Sequence, residues 1–125
     1  MKIELLERAA AAVGIEHRGW VDSATDGTGL AVPGSPDIAL VTRSGSEYGW
    51  WIWNPWDDNG DAFCLALHRG VLYGVEHPWL FVATTDGRKV KTPLGGAPGK
   101  AEQEWLRERI VRAVVAQHDR LGERT

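Results

Sequence analysis

Sulfur is scarce in this 125-residue chain, which has one cysteine and one methionine. A lone cysteine excludes an internal disulfide framework and any cysteine-rich zinc site. Long apolar runs are missing too: nothing approaches the ~18 residues of a membrane span. The early apolar stretch from Ala9 to Val13 is too short for a secretory core, and Glu4 and Glu7 interrupt the basic start that a leader needs. These absences lead us to expect a cytoplasmic protein, in agreement with the single thiol. Nor is there an excess of charge of one sign. Lys plus Arg is 14 and Asp plus Glu is 17, a net charge of −3. General nucleic-acid binders are usually basic, so direct binding to nucleic acid is not expected. Internal repeats, heptads and low-complexity tracts are absent as well.

What is present is ordinary in bulk and unusual in one respect. The apolar fraction is 43% and the charged fraction 25%, as in soluble globular proteins. The length fits a single domain, residues 1–125, that buries roughly two-thirds of its unfolded surface. The unusual feature is seven tryptophans, four of which fall within residues 50–56.

Periodicity predicts a helix over residues 3–13, with Ile3, Leu6, Ala10 and Val13 at helical spacing and Gly14 as its stop. Residues 22–29 are rich in Ser, Thr, Asp and Gly and read as a surface loop. Residues 37–42 read as a buried strand, 44–46 as a turn, and 48–53 as an aromatic strand. A short helix is expected over 62–69, ended by Gly70 and followed by a strand over 71–75. Residues 79–84 and 89–92 form an expected hairpin around Asp86-Gly87. The clearest helix runs over 100–121, with Leu106, Ile110, Val114, Gln117 and Leu121 on one stripe and Gly122 after it.

Few motifs carry chemistry. Gly95-Gly96-Ala97-Pro98-Gly99-Lys100 is one residue short of a phosphate loop, and Ala101 stands where a hydroxyl residue is needed. It reads as a loop leading into a helix. Asp57, Asp58, Asn59 and Asp61 surround Gly60, but a calcium loop would place Pro55 and Ala66 at ligand positions. These carboxylates are better read as caps of the following helix. No histidine pair has metal-ligand spacing, and Cys64 has no partner base. No catalytic residue, metal or cofactor is therefore assigned.

Binding residues can be assigned. Tyr48, Trp50, Trp51, Trp53 and Trp56 are the first candidates, because exposed tryptophan is enriched at recognition sites and stacks flat heterocycles. On a strand, Trp51 and Trp53 share one face and Trp50 takes the other. Arg88, Lys89 and Lys91 on the hairpin are the second set, suited to phosphate or to an acidic partner. Arg107, Arg109, Arg112 and Arg120 alternate with Glu102, Glu104, Glu108 and Asp119, which reads as a solvated face with i, i+4 pairs.

The run Trp53-Asn54-Pro55-Trp56, the acidic turn Asp57-Asp58-Asn59, then Gly60-Asp61-Ala62 and the helix after it resemble the phage ABA-sandwich domain family. Residues 3–15 and 109–115 are similar to that family's first and last helices. The departures are Trp56, Cys64 and the extra Trp50-Trp51. The resemblance implies an α+β, helix/sheet/helix sandwich with a mainly antiparallel sheet, N- and C-terminal helices and a short central helix. It also implies a bacteriophage accessory protein acting in the cytoplasm of a bacterial host, and it implies no activity.

Two binding functions follow as expectations. One is sequestration of a nucleotide-like host immune signal, in a homo-oligomer whose interface forms the pocket. The alternative is a protein inhibitor that blocks a host defence complex, such as a CRISPR effector. An enzyme acting on a nucleotide signal is a third class, for which no acid, base or metal group is identified. No membrane partner is expected.

Overall fold

The computed structural model describes residues 2–23, 27–33, 50–94 and 99–123. Its elements follow in the order α1 (Lys2–Ala12), β1 (Trp20–Ser23), β2 (Gly27–Pro33), β3 (Trp50–Trp53), α2 (Asn59–Arg69), β4 (Leu72–Glu76), β5 (Trp79–Ala83), β6 (Lys89–Pro93) and α3 (Lys100–Glu123). This is an α+β fold with helices at both ends and a short helix in the centre. Every strand pair among the described residues is antiparallel. The strands divide into two ladders, β1-β2-β3 and β4-β5-β6. No helix among the described residues is long and apolar enough to cross a membrane.

One apolar core joins the two ladders. Leu30, Val32 and Trp53 come from the first, Val82 from the second, and Leu6, Leu65, Ile110, Val111 and Val114 from the three helices. Helix α3 lies at the centre of this arrangement: α1, α2 and β5 all pack on it. Its buried residues Ile110, Val111, Val114, Val115 and Gln117 recur at helical spacing. Alternate residues of β5, Leu80 and Val82, point inward, so Trp79 and Phe81 face the other way.

Three readings are corrected. Of the surface loop expected over residues 22–29, residues 22, 23 and 27–29 are strand, because β1 and β2 reach into it and pair Asp22 with Thr28; residues 24–26 lie outside the described residues. The Thr28 hydroxyl donates to the Asp22 carboxylate across that pair at 3.0 Å. Polar residues of low strand propensity are held here by their partners, not by their own preference. Helix α2 begins at Asn59 rather than at residue 62, since Asp58 supplies the cap one turn earlier. Helix α3 passes through Gly122 to Glu123, because glycine weakens a helix without breaking it. The expected strand over 37–42, the turn over 44–46 and Tyr48 lie outside the described residues.

Gly29 controls how closely β2 and β3 approach. A side chain there would come within 2.6 Å of the Trp53 carbonyl oxygen and 2.9 Å of Asn54. Only glycine leaves room for that backbone contact.

Candidate anion-binding site

The chain leaves β3 through a polar knot that fixes the start of α2. The buried Asp61 carboxylate accepts from the Asn54 backbone N–H at 2.8 Å. The Asn54 side chain donates to the Thr28 carbonyl at 2.8 Å and to Asp57 at 3.0 Å. Its Oδ1 accepts from the N–H groups of Trp56 and Asp57, both at 3.1 Å. Asp58 caps the helix by accepting from Gly60 and Asp61, and Gly70 closes it in the left-handed conformation, φ 68°. Of the acidic cluster, Asp58 is the cap, while Asp61 and Asp57 bind Asn54. Cys64, inside this helix, has its thiol pushed up by burial and then by the charges of Asp61 and Asp58. A thiol in such surroundings is a poor nucleophile.

The knot also carries Trp56 to the side of α3. The Trp56 carbonyl accepts from Arg107 Nε at 2.8 Å. The Arg112 guanidinium lies over the Trp56 ring, 5.4 Å from its centroid. In the same way Arg109 lies 5.9 Å from the Trp105 centroid. Aromatic rings therefore steady two arginines of α3.

Those two arginines help to line a groove of about 250 Å3 between α3 and the β5–β6 hairpin. Its floor is apolar: Val82, Val90, Ala113 and Ala116. Its walls carry Arg88 from the hairpin and Arg109, Arg112 and Arg120 from α3, with Thr84 beside them. Among the described residues, Arg88, Arg109 and Arg112 have no carboxylate within ion-pairing distance. Arg120 alone is paired, its Nε donating to Asp86 at 2.6 Å. Its Nη2 is buried and unpartnered. The Arg120 guanidinium, followed by the Thr84 hydroxyl, holds the Asp86 carboxyl well below the usual carboxylate range.

Four guanidinium groups against one carboxylate give an excess of positive charge over an apolar floor. Guanidinium forks match phosphate and carboxylate oxygens in pairs. Low-dielectric walls concentrate the field of such a cleft.

The residues proposed from sequence meet different fates. Arg88 lines the groove. Trp56 supports it through Arg112. Lys89 and Lys91 do not take part: they lie beside Ala83 and Phe81 on the outer face of the second ladder, across from Val82 and Val90. There both pair with Glu76, at 2.5 and 3.7 Å, and Lys89 also lies over the Phe81 ring. Strand alternation is the reason, since Val90 takes the groove face. Trp53 is wholly buried and belongs to the core, so its role in recognition is withdrawn. Trp50 and Trp51 pair through β3 with Pro33 and Val32.

Arg109, Arg112 and Arg120 were the residues missed. Their interleaved acids suggest a neutral face, yet Asp119 pairs with Arg8 of α1 and Glu102 accepts from Gly99 N–H at 2.9 Å. The second of these contacts also places the chain's own carboxylate at the start of α3. The available signal was helical geometry: residues 109, 112, 113, 116 and 120 share one face, with two alanines between the arginines. Among the described residues, no group of three or more His, Cys, Asp or Glu is arranged to hold a metal ion.

Compared with family models, curated proteins and solved structures, the chain matches none.

Proposed function

We propose that this is a binding protein that captures a phosphate-bearing, nucleotide-like ligand in the groove between α3 and the β5–β6 hairpin. The observation that carries this reading is the convergence of Arg88, Arg109, Arg112 and Arg120 on one cavity, three of them without an ion-pair partner among the described residues. A surface salt-bridge lattice would pair these charges, whereas a binding site keeps them open. The apolar floor of Val82, Val90, Ala113 and Ala116 suits the sugar or base that carries the phosphate. In the setting suggested by the Trp53-to-Leu67 resemblance, the protein is a phage accessory factor in a bacterial cytoplasm, and the ligand is a host immune signal. Binding and release without turnover fit that role, because a sequestering protein needs affinity and no catalytic group.

A second reading is supported by a different surface. Leu72 and Trp79, exposed by 66 and 40%, share the outer face of the second ladder. Exposed apolar side chains of this kind serve protein partners, and under this reading the chain blocks a defence complex directly.

Native mass spectrometry of tagged protein recovered from defence-bearing bacteria separates the two. A small phosphate-containing adduct, released intact on denaturation and lost from an Arg109→Ala/Arg112→Ala variant, supports capture of a signal. A bound host protein that persists in that variant supports the second reading and opposes the first.

A further inference from the structure

We infer that a second small-molecule site, for an aromatic carboxylate, lies on the β4 side of the second ladder, away from the arginine groove on its β6 side. The site is a cavity of about 380 Å3 between the start of α2, β4 and the first half of α3. Ala62, Phe63, Tyr73, Leu106 and Ile110 give it apolar walls. Phe63 and Tyr73 meet edge to face, with centroids 6.0 Å apart and planes at 87°. That contact sets the two rings at right angles, as aromatic walls of the cavity.

The polar groups at the mouth specify the ligand's other end. Asn59 Nδ2 donates to Gln103 Oε1 at 3.0 Å, which occupies the amide's acceptor and leaves its N–H groups free. Arg107 donates to the Trp56 carbonyl and to Asn59 Oδ1, at 2.8 and 2.6 Å. Both acceptors are neutral, so the guanidinium is held in place with its charge uncompensated by any carboxylate of the described residues. The Tyr73 hydroxyl makes no hydrogen bond within the described residues. The open groups can all donate, and only one of them is charged. They call for a ligand whose polar end is an acceptor with a single negative charge. The walls call for a flat apolar body. An aromatic carboxylate meets both requirements, and the volume falls in the range of small-ligand sites.

This site shares no lining residue with the arginine groove. Its existence does not depend on whether the groove binds phosphate.

The test is a titration of the intact chain with benzoate, followed by backbone amide resonances, beside benzyl alcohol as the uncharged control. The expected result is saturable shifts centred on Phe63, Tyr73, Gln103 and Leu106, with benzyl alcohol about tenfold weaker. Tyr73→Phe, which keeps the ring, should weaken benzoate about tenfold. Gln103→Trp, at an exposed position, should plug the mouth and abolish binding in a chain whose spectrum is otherwise unchanged. Arg88→Ala should leave benzoate binding intact. The inference is overturned if benzoate shifts no residue of the cavity. It is overturned equally if the shifts centre on Arg88 and Arg112, or if Tyr73→Phe and Gln103→Trp both bind as the parent does.

Discussion

Arg120 and Asp86 hold α3 against the tip of the β5–β6 hairpin, Nε to Oδ2 at 2.6 Å across 34 residues of sequence. The contact sits at one end of the arginine groove, beside Thr84 and Arg88. The Asp86 carboxylate therefore plays two parts. It fastens the hairpin to the helix, and it withdraws one guanidinium from the charge offered to a ligand.

Replacement of Asp86 by asparagine separates these parts. Asp86→Asn should tighten phosphate-ligand binding severalfold, by returning Arg120 to the groove, and should lower the thermal midpoint. Calorimetric titration and thermal unfolding of the same sample measure both. Weaker binding together with unchanged stability would contradict the assignment.

The pH dependence of that contact has a definite sign. Arg120 lowers the Asp86 pKa in the folded chain. Its contribution is therefore fully present above the ordinary carboxylate value of about 4 and is lost only as pH falls through the lower folded value. The stability difference between the parent and Asp86→Asn should stay constant from neutral pH down to about pH 5 and shrink only in stronger acid. A difference that vanished between about pH 7 and pH 5 would mean that the pair does not form.

Asn54 is expected to be the most sensitive polar residue of the fold. It is 3% exposed, and its side chain serves Thr28, Trp56 and Asp57. Asn54→Ala should cost about 2–4 kcal/mol, because it leaves buried backbone groups unpartnered. Asp58→Ala removes the cap of α2 and should cost about 1 kcal/mol. Urea unfolding gives both values, and a reversed order would place the weight of the knot elsewhere.

Gly29→Ala should open the β2–β3 ladder. The added carbon would stand 2.6 Å from the Trp53 carbonyl oxygen, a contact that the two backbones relieve only by separating. Faster amide exchange in β2 and β3 than in β4 to β6 is the expected signature, and uniform exchange would contradict it.

These expectations show what local patterns reveal and what they hide. The helices and the Asp86-Gly87 hairpin were legible because their signals lie within a few residues: apolar spacing, caps and turn chemistry. Asp58 and Gly70 bound α2 as their residue types suggest. Strand β2 was hidden because Gly27, Thr28 and Gly29 look like a loop until β1 pairs with them. The groove was hidden for a similar reason. Its arginines appear neutralised along α3, yet Asp119 turns to Arg8 of α1 and Glu102 turns to the helix's own first turn. Arg88, singled out by its place on a hairpin, lines that groove. Lys89 and Lys91 were misplaced because burial, not charge, decides which face of β6 looks inward.

Trp56 was chosen for its ring and matters through Arg112. Trp56→Leu should keep most of the packing while freeing the guanidinium 5.4 Å away. Phosphate-ligand affinity should fall about twofold to fivefold, in line with an exposed cation–π contact. Arg112→Ala made in the Trp56→Leu background should then cost less than it does in the parent.

The most direct test of the central claim is a titration of the purified chain with a nucleoside diphosphate at several salt concentrations, alongside Arg109→Ala/Arg112→Ala. The expected result is saturable binding that weakens steadily as salt rises and that the double variant loses by at least about tenfold, with its fold unchanged. Binding of equal strength in parent and double variant, or none by the parent at low salt, would contradict it.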